Sequence, residues 1–268
     1  MLESTIATDL AKPEGVTGAS GRGRLLNLER ANFRYEPFPI GIIRDIFEPS
    51  FYGRLVKTFP PVELFRFMQD HGDKWSLSQF NHPDQYYKFL DSNADWNHLH
   101  KVMTSTDFID QVIDVLAKSK IDLGLRSMPE TNVLRRLRNA LRGRHVPGAL
   151  QSRFEFSMMR AGGGHILPHT DSPQKHITLV VSMVQPGEWD QAWGGGTDLM
   201  RPVDLSDNFN FRNRYLRFDE VETIDTMAYE PNQCVIFIKT FNSLHAVKPM
   251  TGPHDVLRRT LTVNIESI

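Results

Sequence analysis

Four residues in the second half of the chain have types and spacing suited to chemistry: His169, Asp171, His245 and Arg258. Two imidazoles and one carboxylate can hold three positions on one face of a ferrous ion, leaving three open for substrate-derived ligands and oxygen. His169 and Asp171 are two residues apart, so an extended backbone would point both the same way. His245 follows 74 residues after Asp171, and Arg258 thirteen residues after that. An arginine so placed supplies a bidentate cation for the far carboxylate of a dicarboxylic cosubstrate.

Gly162-Gly163-Gly164 and Pro168 precede the first pair and let the backbone bend sharply toward a site. His245 comes after an apolar run around Phe237 and a short turn, Phe241 to Leu244, which places it at the start of a strand. In the last segment Arg258, Thr260, Thr262 and Asn264 share one face, and Leu261, Val263 and Ile265 the other. A polar face can line a cavity while an apolar one packs under helices. Arg259 falls on the apolar side by the same parity, so Arg258 is the expected anion-binding residue.

The elements that must carry these residues divide by region. Residues 1–24, rich in glycine and polar types, read as a flexible tail. A single domain is expected over 25–268, with helical support over about 25–150 and a strand-rich core over about 151–268. Ile40 to Ile43 reads as a first strand, and Ser50 as the N-cap of a helix carrying Phe51, Tyr52, Leu55, Val56 and Phe59. Further helices are predicted from Thr106 and over Glu130 to Arg142. Short strand-like runs then follow at 154–159, 176–183, 197–200, 222–227, 234–239, 245–248 and 258–265, separated by Gly, Pro, Asn and Asp. Helices first and strands second predict an α+β fold in which helices back a two-sheet jelly roll.

Composition narrows the class. A formal net charge of −1 gives no global field for nucleic acid or an acidic membrane. The N-terminal residues contain acids and a proline and do not read as a signal peptide, and no apolar run reaches membrane-spanning length; a cytoplasmic protein is expected. Cys234, the single cysteine, lies in an apolar run and reads as a buried thiol. A second His-x-Asp, at His82 and Asp84, reads as a loop with Asp84 capping the segment after it. The pair His98 and His100 lacks a glycine bend and a downstream arginine strand. His165 and His176 flank the main candidate and read as solvated, or else as groups that contact substrate or support the metal ligands.

The segments around the candidate site resemble the prolyl-4-hydroxylase-like branch of the 2-oxoglutarate and Fe(II)-dependent oxygenase superfamily. The resemblance is carried by His169-Thr170-Asp171, by His245 followed by Val247-Lys248-Pro249, and by a last strand opening with Arg258 and Thr260. Pro37-Phe38-Pro39 followed by Asp45-Ile46-Phe47 is similar to the family's N-terminal entry. Resemblance is dense over 154–268, loose over 33–61 and absent between. The thirteen-residue interval to Arg258 is longer than in many members, and the turn from Thr251 to Val256 can absorb the excess.

The resemblance implies a double-stranded β-helix core, with Fe(II) held by His169, Asp171 and His245. It implies 2-oxoglutarate chelating that iron, its 5-carboxylate on Arg258 and Thr260, with O2 as oxidant and ascorbate as a supporting reductant. Thr178 and Ser182 would face inward near the cosubstrate. An aspartate at 171 argues for hydroxylation, since related halogenases leave that position to a small residue. The implied reaction is hydroxylation of an unactivated C–H bond of a small-molecule or glycan-like substrate, releasing succinate and CO2. A peptidyl, prolyl-type hydroxylase and a catalytically silent jelly-roll binding protein are the alternatives. Substrate contacts are expected from outside the strands. The Trp189 and Trp193 loop can stack on substrate or pin itself to the domain. The arginines Arg135, Arg136, Arg138, Arg142 and Arg144 can attract an anion or form a solvated helix face. The stretch from Asp204 to Glu220 reads as a flap or an insertion.

Overall fold

The computed structural model describes residues 25–69, 72–125 and 149–268. The expected tail, the expected helix over 130–142 and the arginine run lie outside them.

Twelve strands among the described residues form two antiparallel sheets. They are β1 (Asn32–Arg34), β2 (Ile40–Ile43), β3 (Arg66–Met68), β4 (Lys74–Ser78), β5 (Leu150–Arg160) and β6 (Ile166–His169), followed by β7 (Lys175–Ser182), β8 (Thr197–Pro202), β9 (Val221–Met227), β10 (Cys234–Ile238), β11 (His245–Val247) and β12 (Leu257–Ser267). The larger sheet runs β1-β2-β10-β7-β12-β5-β4-β3 and the smaller β6-β11-β8-β9. Chain order scattered across two facing sheets is the jelly-roll arrangement predicted.

Four helices, α1 (Pro49–Lys57), α2 (Pro83–Ser92), α3 (Ala94–Met103) and α4 (Thr106–Lys118), bury one face of the larger sheet. Leu261, Val263 and Ile265 of β12, Phe154 and Phe156 of β5 and Leu179 and Val181 of β7 pack there against Leu55, Trp96, Leu99 and Ile109. The sheet's other face meets the smaller sheet through Ile40, Val235, Phe237 and Leu199. Alternation along β12 thus divides it into a helix-facing and a cavity-facing side, as expected.

Helix starts differ from the sequence reading. Glu48, not Ser50, caps α1: its carboxylate accepts from the Ser50 and Phe51 amides at 3.1 and 3.0 Å. Pro49 then occupies the first helical position, where its missing N–H costs nothing. At α2 the cap is His82, in a left-handed conformation (φ 59°), with Pro83 next; Asp84 sits in the first turn rather than capping. His98 and His100 belong to α3, a helix the sequence reading did not identify. Strands β1, β3, β4 and β6, three to five residues each, also escaped it, being too short to show alternation.

Candidate metal centre

His169 ends β6 and His245 begins β11, and the two are direct cross-strand partners. Their rings lie 4.5 Å apart. Asp171 comes two residues past the end of β6 at φ 67°, in the left-handed region. The sequence argument from extended-strand parity does not describe it: a backbone turn, rather than the pleat, brings the carboxylate beside the imidazoles. Non-glycine residues held there cost energy and concentrate at functional sites. Asp171 Oδ1 lies 3.8 Å from His169 Nε2 and Oδ2 lies 3.9 Å from His245 Nε2. One ligand atom from each of the three falls within 4.8 Å of the others, and no other such His, Cys, Asp or Glu group occurs among the described residues.

Each imidazole is turned by its other nitrogen. His169 Nδ1 hydrogen-bonds the Leu167 carbonyl and His245 Nδ1 the Ser243 carbonyl, both at 2.9 Å. Both carbonyls can only accept, so Nδ1 carries the proton and Nε2 presents a lone pair toward Asp171. Tyr215 stacks on His169 and Phe237 on His245, fixing the ring planes. Burial holds the His169 imidazolium down to about 3 and lowers His245 as well, so both stay neutral. Burial alone would raise Asp171, but Lys175 foremost keeps its carboxyl well below the usual range. Lys175 donates to Oδ1 at 3.1 Å and Thr178 to Oδ2 at 3.2 Å. Lys239 donates to the Thr170 hydroxyl and the Asp171 carbonyl, both at 2.8 Å, clamping the turn; burial pushes its ammonium down to about 8.

The three residues open on a cavity of about 650 Å³ between the sheets. Arg258 and Thr260 line it from β12, both buried. The Arg258 guanidinium donates through Nε to the Gly195 carbonyl at 2.5 Å and lies over the Tyr229 ring at 4.8 Å. No carboxylate among the described residues pairs with it, and burial lowers its pKa. A buried cation with neither counter-ion nor full solvation is stabilised by an anionic ligand. Arg259 points to the opposite face and pairs with Glu188 at 2.7 Å. The donor set therefore fits a divalent ion, two neutral nitrogens and one anionic oxygen, with a carboxylate-seeking arginine on the same cavity wall.

Thr178 lines the cavity, and its hydroxyl also lies 3.0 Å from the Asn264 side-chain amide; Ser182 is buried but does not reach the wall. His165 and His176 are half-buried, bonded to the Gly163 carbonyl and the Ser267 hydroxyl, and do not line it. Trp189 and Trp193 pack on each other and pin their loop, outside the cavity. From the 204–220 stretch, Asn213 and Tyr215 reach the cavity. Residues that sequence reasoning missed include Lys175, Lys239, Gly195 and Tyr229. Lys175 alone left a signal, standing four residues after the aspartate.

No family model matches the chain, nor does any curated protein. Solved structures similar to it include a prolyl-4-hydroxylase of Pseudomonas putida, at 11% identity and a TM-score of 0.46 over 85% of this chain and 91% of that one. A prolyl hydroxylase of Trichoplax adhaerens in complex with a hypoxia inducible factor peptide fragment gives 13%, 0.44, 85% and 83% in the same terms. HygX of Streptomyces hygroscopicus, with nickel and 2-oxoglutarate bound, gives 7%, 0.40, 85% and 82%.

Proposed function

We propose that the chain is a non-haem Fe(II), 2-oxoglutarate-dependent dioxygenase that hydroxylates a C–H bond of a small-molecule or glycan-like substrate. The observation that carries this reading is the pairing, in one cavity, of the His169–Asp171–His245 cluster with the buried Arg258, with which no carboxylate among the described residues pairs. When bound, iron and 2-oxoglutarate supply the oxidising chemistry, one atom of O2 entering substrate and the other succinate, with CO2 released.

The chain's own residues do the rest. His169 and His245 offer Nε2, and Asp171 one oxygen, from a turn held by Lys239. Lys175 and Thr178 orient the Asp171 carboxylate from either side, the outer hydrogen bonding that tunes metal ligands. Arg258 and the Thr260 hydroxyl hold the cosubstrate's distal carboxylate. Val180, Phe237 and Val247 give the cavity apolar walls that exclude water.

Anaerobic titration of Fe(II)-loaded protein with 2-oxoglutarate tests the reading, monitored by the visible charge-transfer band of the chelate. A band in wild type that disappears in His169→Ala is expected. Folded, iron-loaded protein that develops no band would overturn the assignment.

A further inference from the structure

Past the metal cluster the same cavity is bordered by a second group of charges, which the reaction outlined above does not use. On β5, Arg153, Glu155 and Ser157 alternate onto the cavity wall, and Lys74 approaches from β4. Glu155 is buried and its Oε1 is saturated: it accepts from Lys74 Nζ at 2.8 Å, Ser76 Oγ at 3.0 Å and Ser157 Oγ at 3.2 Å. Arg153 is different. It approaches Glu155 Oε2 at 3.7 Å and Glu266 Oε2 at 4.0 Å, beyond hydrogen-bonding range, and its Nε is buried with no partner. Its plane rests over Phe80. A guanidinium held in place with its donors unused is a preformed receptor for an anion.

Register shows that this is not another part of the cosubstrate site. Arg258 and Asn264 share the cavity face of β12 six residues apart. Asn264 pairs with Arg153 on one side and with Thr178 on the other. Thr178 donates to Asp171. Arg153 therefore sits at the level of the metal cluster, two strand spacings across the sheet, or roughly 10 Å between backbones. A dicarboxylate that runs from Arg258 toward the cluster leaves Arg153 two strands to its side.

Charge favours the same conclusion. The cavity wall carries four cations, Lys74, Arg153, Lys175 and Arg258, against two carboxylates, Glu155 and Asp171. A divalent ion raises the surplus of two to four, and a dianionic cosubstrate returns it to two. We infer that the substrate is a small anion whose carboxylate or phosphate docks on Arg153, with Lys74 and Lys175 alongside, opposite the cluster across β12. Glu155 fixes Lys74 and, sharing its field with Arg153 and Lys175, keeps the three cations gathered. This substrate class rests on the dioxygenase reading, whereas the anion site stands on its own residues.

The test uses Zn(II)-loaded protein saturated with 2-oxoglutarate, titrated calorimetrically with inorganic phosphate, with benzoate, and with benzamide as the neutral control. Binding of phosphate, benzoate or both, weakened at least tenfold by Arg153→Gln and less by Arg153→Lys, is expected; which anion binds separates phosphoryl from carboxylate substrates. Benzamide should give no response that depends on Arg153. Anion binding that is absent, or equal in wild type and Arg153→Gln, overturns the proposal. Labelling of wild-type Arg153 by phenylglyoxal, read by mass spectrometry, gives an independent answer should the variant not fold. The bound anion should protect it, and unchanged labelling counts against the site. Titration with 2-oxoglutarate itself reports on the Arg258 end. If that fails while the Arg153-dependent response persists, the dioxygenase reading falls and the anion site remains.

Discussion

Arg258 owes its proposed role to what its neighbours withhold: Gly195 offers one carbonyl, Tyr229 a ring face, and no carboxylate among the described residues approaches. Truncating one partner of a buried charge pair costs about 2–5 kcal/mol. Arg258→Met, which keeps the stem's packing, should therefore raise the 2-oxoglutarate concentration needed for half-maximal binding at least about thirtyfold. Arg259→Met, on the helix-facing side with Glu188, should change it little, and an equal defect there would reassign the cosubstrate arginine. Asp171 permits a sharper experiment, because its φ of 67° penalises any side chain. Asp171→Ala and Asp171→Gly should both abolish turnover by removing the carboxylate. Only the glycine relieves the left-handed backbone, at roughly 1 kcal/mol for a residue so placed. The glycine variant should melt higher than the alanine one; the reverse order in a thermal scan would mean the turn is not strained.

Elements explain why those residues meet. The 185–196 loop, open in sequence to substrate contact or to pinning itself on the domain, is a brace: Trp189 donates to the Gly194 carbonyl at 2.9 Å, and the next carbonyl receives Arg258. Gly195 has φ 83°, and a Cβ there would lie 2.7 Å from the Trp189 ring and 3.0 Å from the Met250 sulfur. Gly195→Ala should lower stability by about 1–2 kcal/mol and, by moving that carbonyl, weaken 2-oxoglutarate binding as well. A melting shift without a binding defect would separate the brace from the arginine. The sequence was informative where periodicity is long or residue chemistry is narrow. Alternation over 258–265 separated Arg258 from Arg259, and the histidines were distinctive by type and spacing. It was silent where the backbone departs from pleat or helix. Nothing in His169-Thr170-Asp171 announces a left-handed aspartate, and parity placed its carboxylate by the wrong geometry. Strands of three residues such as β1 and β3 are set by pairing with neighbours, which local pattern cannot report. Glu155 lay within a predicted strand and Arg153 just before it, but their meeting with Lys74 depends on β4 joining from a region with no strand signal.

At the scale of the whole molecule, the cavity is where two sheets agree to bury charge, and acid should reveal the cost. The ligand pair His169 and His245 is contributed by the smaller sheet, Glu155 by the larger. Burial lowers His169 from 6.5 to about 3. For Glu155 burial works upward, but Lys74 and then Arg153 and Lys175 outweigh it and bring the carboxyl from 4.5 to about 2. Both groups have depressed native values, so the unfolded chain binds protons that the native state refuses as pH falls. Their stabilisation is complete above the unfolded value and is lost on descent toward the native one. The window opens near pH 6.5 for the imidazole and near 4.5 for the carboxylate. Fully expressed, the Glu155 contribution is about 3 kcal/mol. Chemical denaturation of metal-free protein should give a plateau from pH 8 to about 6.5, a gentle decline below it and a steeper one under 4.5. In Glu155→Gln the steeper limb should flatten while the gentle one persists, because only the second group has been removed. A plateau running unbroken to pH 4 would mean that the imidazoles are not held neutral by the fold. The cavity would then have to admit water freely to the residues that the two sheets enclose.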